Sequence, residues 1–181
     1  MRLFIAIELP DVVKRIFGRI RADIPGSRWV PAEQLHVTLS FLGEVDDITL
    51  KLLTEELATI QAPGFSVRFS GTGCFPNRHR PRVLWVGLEP EPLLISLASQ
   101  VRKAVLACNI PQEERPFSPH ITLARLRFPA NREVDAFLDQ SRQPEIPPIT
   151  VGEFILFRSR LTPQGAIHTP IRGFPLLPSS V

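Results

Sequence analysis

Cysteine occurs only twice in this 181-residue chain, at Cys74 and Cys108, and tyrosine does not occur at all. Two cysteines with no C-x-x-C spacing rule out a disulfide framework or a zinc ribbon as the organising device. They read as free thiols in a reducing cytoplasm. Long apolar runs are missing too. The stretch "MRLFIAIELP" is broken at Glu8 and Pro10, too short for a membrane span or for the apolar region of a signal peptide, and it reads as a first strand. No sign of charge dominates: 21 Lys and Arg stand against 18 Asp and Glu, for a net charge of +3 and a sequence pI of about 9.4. That balance permits a polyanionic partner without requiring one. Arginine leads the basic set, and its guanidinium matches phosphate oxygens in a planar, two-toothed geometry that lysine lacks.

What is present is ordinary for a globular protein: 44% hydrophobic and 22% charged residues, with 19 dispersed prolines that mark turns and strand ends. The chain is long enough for one sizeable core or two small lobes sharing it. Residues 2–9 form a strand. A helix follows Pro10, with Val12, Val13, Ile16, Phe17 and Ile20 at helical spacing. "SRWVP" leads into a strand at 35–43. A second helix carries Ile48, Leu52, Leu53, Leu57 and Ile60 on its apolar stripe. Strands at 65–75 and 83–89 precede a helix at 91–108; a strand at 119–126, a short helix at 131–140 and two last strands follow. Helices mixed with hairpin-connected strands predict an α+β fold with largely antiparallel sheets.

One internal repeat decides the reading. "HVTLSFL" at 36–42 recurs as "HITLARL" at 120–126, each His, β-branched apolar residue, Thr, Leu, two variable residues, Leu. Each copy follows a helix and an extended lead-in, and each precedes another helix. The copies read as two similar lobes, each giving one strand to a shared cleft. Side chains in a strand alternate faces, so His36 and Thr38 share one face and Val37 and Leu39 the other; the same parity joins His120 with Thr122. Imidazole titrates near neutrality, so one ring can take a proton while the other gives one. Threonine hydroxyls can hold the non-bridging oxygens of a phosphoryl group. The set suits cleavage of a phosphodiester. A lone His-x-Thr is more often a satisfied half-buried histidine than a catalyst, but duplication with matched flanks reverses that judgement. A metal site is the sharper rival. Yet Glu33 and Glu44 are the carboxylates flanking the first copy, and Glu113 and Glu114 approach the second, none at ligand spacing. The expectation is acid–base catalysis with no metal or cofactor.

"RLFIAIELP", "RWVPAEQLHVTLSFLGEV", "RPRVLWVGLE", "FSPHITLARL" and "FILFRSRLTPQGAIH" together resemble the bacterial and archaeal RNA 2′,3′-cyclic phosphodiesterases, once called 2′–5′ RNA ligases, of the two-histidine phosphoesterase superfamily. The resemblance implies one domain over 1–181, built as two intertwined lobes with motifs at 36–39 and 120–123. It implies a bilobal, pseudo-two-fold α+β fold whose two largely antiparallel sheets face a central cleft, with helices outside. It implies metal-independent hydrolysis of an RNA or nucleoside 2′,3′-cyclic phosphate to a 2′-phosphomonoester, with His36 as proton donor to the leaving 3′ oxygen and His120 as proton acceptor from water. Thr38 and Thr122 then bind phosphate, and Arg125 is a further candidate. The division of acid and base between the histidines rests on the resemblance alone. Reversible formation of a 2′–5′ linkage from a cyclic phosphate and a 5′ hydroxyl is a side activity; a catalytically idle nucleotide- or RNA-binding module is the alternative. A cytoplasmic monomer acting on RNA ends or cyclic nucleotides, away from membranes, is expected. The sequence departs from the family at His168, where a tyrosine usually follows the "P-x-G" turn.

By strand parity Arg125 points away from His120, so only a bulge or strand end brings it to phosphate, and a salt-bridged surface position is the competing expectation. "PNRHRPR" reads as a solvated turn carrying Arg78, His79, Arg80 and Arg82 rather than as an RNA guide. Trp29 and Phe41 are candidate base-stacking surfaces, with core packing the expected role of each.

Overall fold

"RLFIAIE" is apolar without alternation, and a strand of that kind is buried on both faces and sits inside a sheet. In the computed structural model, which describes residues 1–140, 145–163 and 165–178, this segment is β1 (Arg2–Glu8), with its five inner residues all buried. The remaining elements follow in order: α1 (Asp11–Arg19), β2 (Ser27–Trp29), a single 3-10 turn at Ala32–Gln34, β3 (His36–Glu44), α2 (Asp47–Leu57), β4 (Phe65–Val67), β5 (Phe69–Phe75), β6 (Val83–Leu88), α3 (Pro92–Ala107), β7 (His120–Leu126), α4 (Asn131–Asp139), β8 (Ile149–Val151), β9 (Glu153–Thr162) and β10 (Gly165–Pro175). Two four-stranded sheets result, in the orders β10-β9-β1-β3 and β2-β7-β6-β5, together with a two-stranded ribbon of β4 and β8. All their pairings are antiparallel. The fold is α+β, as the alternation of strands and helices predicts.

The helices begin where the chemistry puts them. Pro10 precedes α1, whose first turn carries Asp11 and whose last carries Arg19, each favourable to the helix dipole. Asp46 caps α2 by accepting the Thr49 backbone N–H at 2.8 Å. Glu91 caps α3, accepting from Leu93 N–H at 3.0 Å, with Pro92 at the helix start. Of the apolar residues at helical spacing in α3, Leu94, Leu97, Val101 and Val105 are buried while Leu93 and Leu106 are exposed, and the stripe of α2 is likewise narrower than its sequence implies. Leu53 and Leu57 are buried while Ile48 and Leu52 lie 78% and 52% exposed, because α2 rests one face on α3 and turns these two outward.

Two segments that read as single strands each break in two. Residues 65–75 divide at Arg68 into β4 and β5, and the run starting at Ile149 divides at Gly152 into β8 and β9. The short halves pair with each other, Ser66 opposite Thr150, while β5 and β9 join the two main sheets. Strand β2 likewise leaves its own lobe and pairs with β7, Arg28 opposite Arg125. One apolar core then runs behind both sheets, joining Ile5, Val37 and Leu39 to Val86, Ile121 and Leu123 through the buried faces of α1, α2 and α3. A second cluster seats α4 on the other sheet through Leu84, Ala124, Val134 and Leu138.

Candidate active site

Strands β3 and β7, which carry the two repeats, lie against each other and show the same burial sequence residue for residue over their first seven positions. His and Thr are partly buried, the residue after each is buried, and then two neighbours are buried in succession: Leu39 with Ser40, and Leu123 with Ala124. The cause is a β-bulge at the same place in both. On β3, Thr38 and Ser40 face consecutive residues of β1, leaving Leu39 as the extra residue. On β7, Thr122 and Ala124 face consecutive residues of β6, leaving Leu123 as the extra one. A bulge resets strand parity. Phe41 and Arg125, which simple alternation turns away from the histidines, are therefore returned to their face. Both line the cleft, and Phe41 is 63% exposed. Core packing is thus wrong for Phe41 and parity is wrong for Arg125, for one physical reason. Trp29 does both: it is partly buried, edge-on to Phe137 at 5.6 Å, and it also lines the cleft.

The cleft encloses about 470 Å³ between the sheets and brings together His36, Thr38, His120, Thr122 and Arg125. Each histidine is held in the same manner. His36 Nδ1 lies 2.7 Å from the Gln34 carbonyl oxygen, and His120 Nδ1 lies 2.7 Å from that of Ser118. A carbonyl oxygen only accepts, so both Nδ1 atoms carry hydrogen and donate it. Both rings are left with Nε2 as the nitrogen free to exchange a proton. Each ring also rests on a phenylalanine: Phe4 at 4.9 Å from His36 and Phe75 at 5.0 Å from His120.

Three contributors escaped the sequence. Gln112 reaches across from the other lobe and accepts the Ser40 hydroxyl at 2.6 Å while donating to the Phe41 carbonyl at 3.0 Å, so it clamps the β3 bulge. Ser159 on β9 and Arg28 on β2 line the cleft. None of these belongs to the repeat, and no local pattern marks them. His168, flagged as a departure from the family, enters the cleft on β10, 5.3 Å edge-on from His36 and 4.8 Å from Phe4. Gln164, in the "P-x-G" stretch before it, lies outside the described residues. The "PNRHRPR" turn stays outside the cleft. Arg78 pairs with Asp135 and Asp139 of α4 at 3.3 and 3.0 Å, and Arg82 donates to the Arg127 carbonyl at 2.7 Å. Among the described residues, no three His, Cys, Asp or Glu side chains converge as a metal-binding group, and no helix is long and apolar enough to cross a membrane.

Burial pushes His36 down to about 4 from the usual 6.5; its bond to Gln34 opposes this, while the neighbouring imidazole of His168, the Lys14 ammonium and His120 add to it. Burial lowers His168 as well. Between these pH values the unfolded chain binds more protons at position 36 than the folded one, so stability rises with pH across the window. It is complete above about pH 6.5 and lost as pH falls toward 4, by up to about 3 kcal/mol from His36. Urea unfolding from pH 4 to 7 should show this slope, and His36→Asn should flatten it. A parallel profile for the variant excludes His36 as the source.

A profile of the 2′-5′ RNA ligase superfamily matches residues 9–162. The RNA 2′,3′-cyclic phosphodiesterase of Thermus thermophilus is 38% identical over 194 residues, covering 97% of this chain and 90% of that one. The protein of the same name from Archaeoglobus fulgidus is 33% identical over 177 residues, covering 96% and 99% of the two chains. The crystal structure of Escherichia coli LigT complexed with 3′-AMP superposes with a TM-score of 0.78 at 32% identity, covering 97% of each chain.

Proposed function

Because the chain belongs to the 2′-5′ RNA ligase superfamily, we propose that it hydrolyses RNA or nucleoside 2′,3′-cyclic phosphates to 2′-phosphomonoesters by acid–base catalysis between His36 and His120. The observation that carries this reading is the matched anchoring of the two imidazoles, each with Nδ1–H given to a carbonyl and Nε2 left for proton transfer in one cleft. The relatives named as RNA 2′,3′-cyclic phosphodiesterases support the substrate.

The Thr38 and Thr122 hydroxyls and the Arg125 guanidinium donate hydrogen bonds to the non-bridging phosphoryl oxygens. His120 Nε2 takes a proton from water as its oxygen attacks phosphorus. The P–O3′ bond breaks, and protonated His36 Nε2 delivers its proton to O3′. His36 is neutral in the open cleft at neutral pH, since burial holds it near 4. An anionic phosphate beside it favours the imidazolium, so the acid forms with the substrate in place. With a 5′ ribose hydroxyl in place of water as the attacking group, the same step joins RNA ends through a 2′–5′ linkage, and its reverse reopens that linkage to the cyclic phosphate. We place the single domain, a monomer, in this role without a metal.

Incubation with 2′,3′-cyclic AMP in excess EDTA, with the product isomer identified, tests the reading. Turnover to 2′-AMP is expected at an undiminished rate. No turnover by wild type leaves the idle binding module, and loss in EDTA restored by added metal overturns the metal-free mechanism.

A further inference from the structure

The cleft holds more positive charge than one cyclic phosphate requires. Arg2, Arg28 and Arg125 line it with three histidines, and among the described residues no Asp or Glu does so. Among the described residues none of the three arginines forms an ion pair. Arg28 is the hardest to explain on structural grounds. It stands directly opposite Arg125 in the β2–β7 pair, and like charges in that relation destabilise a sheet. Its side chain is exposed, so it supplies no core packing in return. Its guanidinium nevertheless has a defined place. It leaves its own sheet and reaches β10 in the other one, with Nη2 2.8 Å from where a Cβ of residue 165 would stand. That position is Gly165, at φ +138°, a conformation that L side chains rarely adopt. The guanidinium therefore spans the cleft, held against a backbone that has no side chain to obstruct it. Two unpaired guanidinium groups opposed in this way form a site for anions, and Arg125 alone serves the reacting phosphate.

We infer that Arg28 binds a second phosphate, the phosphodiester joining the terminal cyclic nucleotide to the nucleotide before it, and that the preferred substrate is an oligonucleotide end rather than a free cyclic mononucleotide. This rests on the hydrolytic reading above and adds the substrate's length to it. A guanidinium–phosphate bond is charge-assisted and geometrically specific. It strengthens binding of any chain with a charged linkage at that point, whatever its bases.

The test compares kcat/KM for 2′,3′-cyclic AMP, for the diadenosine ApA ending in a 2′,3′-cyclic phosphate, and for the same dinucleotide with an uncharged methylphosphonate linkage. Wild type is expected to favour the charged dinucleotide roughly tenfold or more, the scale of one hydrogen bond to a charged group. The methylphosphonate analogue and the variant Arg28→Gln should each abolish that preference. A second readout excludes a structural role: without added anion, Arg28→Gln should melt at a higher temperature than wild type, because it relieves the repulsion with Arg125. An undiminished dinucleotide preference in Arg28→Gln, equal losses on mononucleotide and dinucleotide, or a lowered melting temperature each overturns the assignment. If wild type turns over no substrate, the hydrolytic reading fails. Binding of the 2′-phosphorylated dinucleotide against 2′-AMP then decides the Arg28 site by the same comparison.

Discussion

His120→Asn should fold as wild type does and lose roughly 10²- to 10⁴-fold in kcat on 2′,3′-cyclic AMP, the range for removal of a general acid or base. Asparagine is the informative replacement because its side-chain NH₂ can still donate to the Ser118 carbonyl, the partner of His120 Nδ1, while nothing remains in the place of Nε2. The anchor survives and the proton acceptor does not. His36→Asn makes the same separation at Gln34 and should show a loss of similar size. The two groups act on one transition state, so the double variant should be little worse than the poorer single one; such effects are grossly non-additive. Each variant is to be followed by turnover and by thermal unfolding together. Retention of activity within a few-fold in either single variant removes that histidine from the reaction. Loss of activity that tracks loss of folding shows an anchoring role instead.

The repeat was the most legible part of this chain, because His, Thr and two leucines at fixed offsets need no tertiary information to be seen. Alternation then placed His36 with Thr38 and His120 with Thr122, and the cleft does gather all four. Alternation failed one turn of the pleat later. Its failure had a visible sign: Leu39 and Leu42 are three apart, as are Leu123 and Leu126. A strand covered on one face only cannot bury two residues an odd number apart without an extra residue between them. All four leucines are buried, and the bulges are how. The shared irregularity was as informative as the shared histidines, and it turns Phe41 and Arg125 toward the site. The division of residues 65–75 and of the run from Ile149 had no such sign. Arg68 and Gly152 are ordinary strand neighbours until β4 finds β8, and that pairing depends on segments more than eighty residues apart. Gln112 is the extreme case, one polar residue beside Glu113, Glu114 and Arg115 in a lead-in, whose partners on β3 exist only after the lobes meet.

Arg125 puts the bulge itself to an experimental test. Its side chain is exposed, opposite Arg28 and without a carboxylate partner among the described residues, so Arg125→Ala should leave the fold intact and even ease the repulsion between the two guanidinium groups. Were β7 regular, Arg125 would face away from His120 and the substitution would matter little to catalysis. With Leu123 as the extra residue, the guanidinium stands on the face of His120 and Thr122, where charge on the phosphoryl oxygens grows during attack. Removal of one preorganised donor at such a position costs on the order of 10²- to 10³-fold in kcat. Arg125→Lys should recover only part of that loss, because an ammonium keeps the charge but not the planar fork that holds two oxygens at once. The sign of the comparison is specific: activity falls in the order wild type, lysine, alanine, while the melting temperature does not fall with it. Alanine within about threefold of wild type, against the donor loss expected at an oxyanion position, would return Arg125 to the surface and leave the bulge a matter of packing alone.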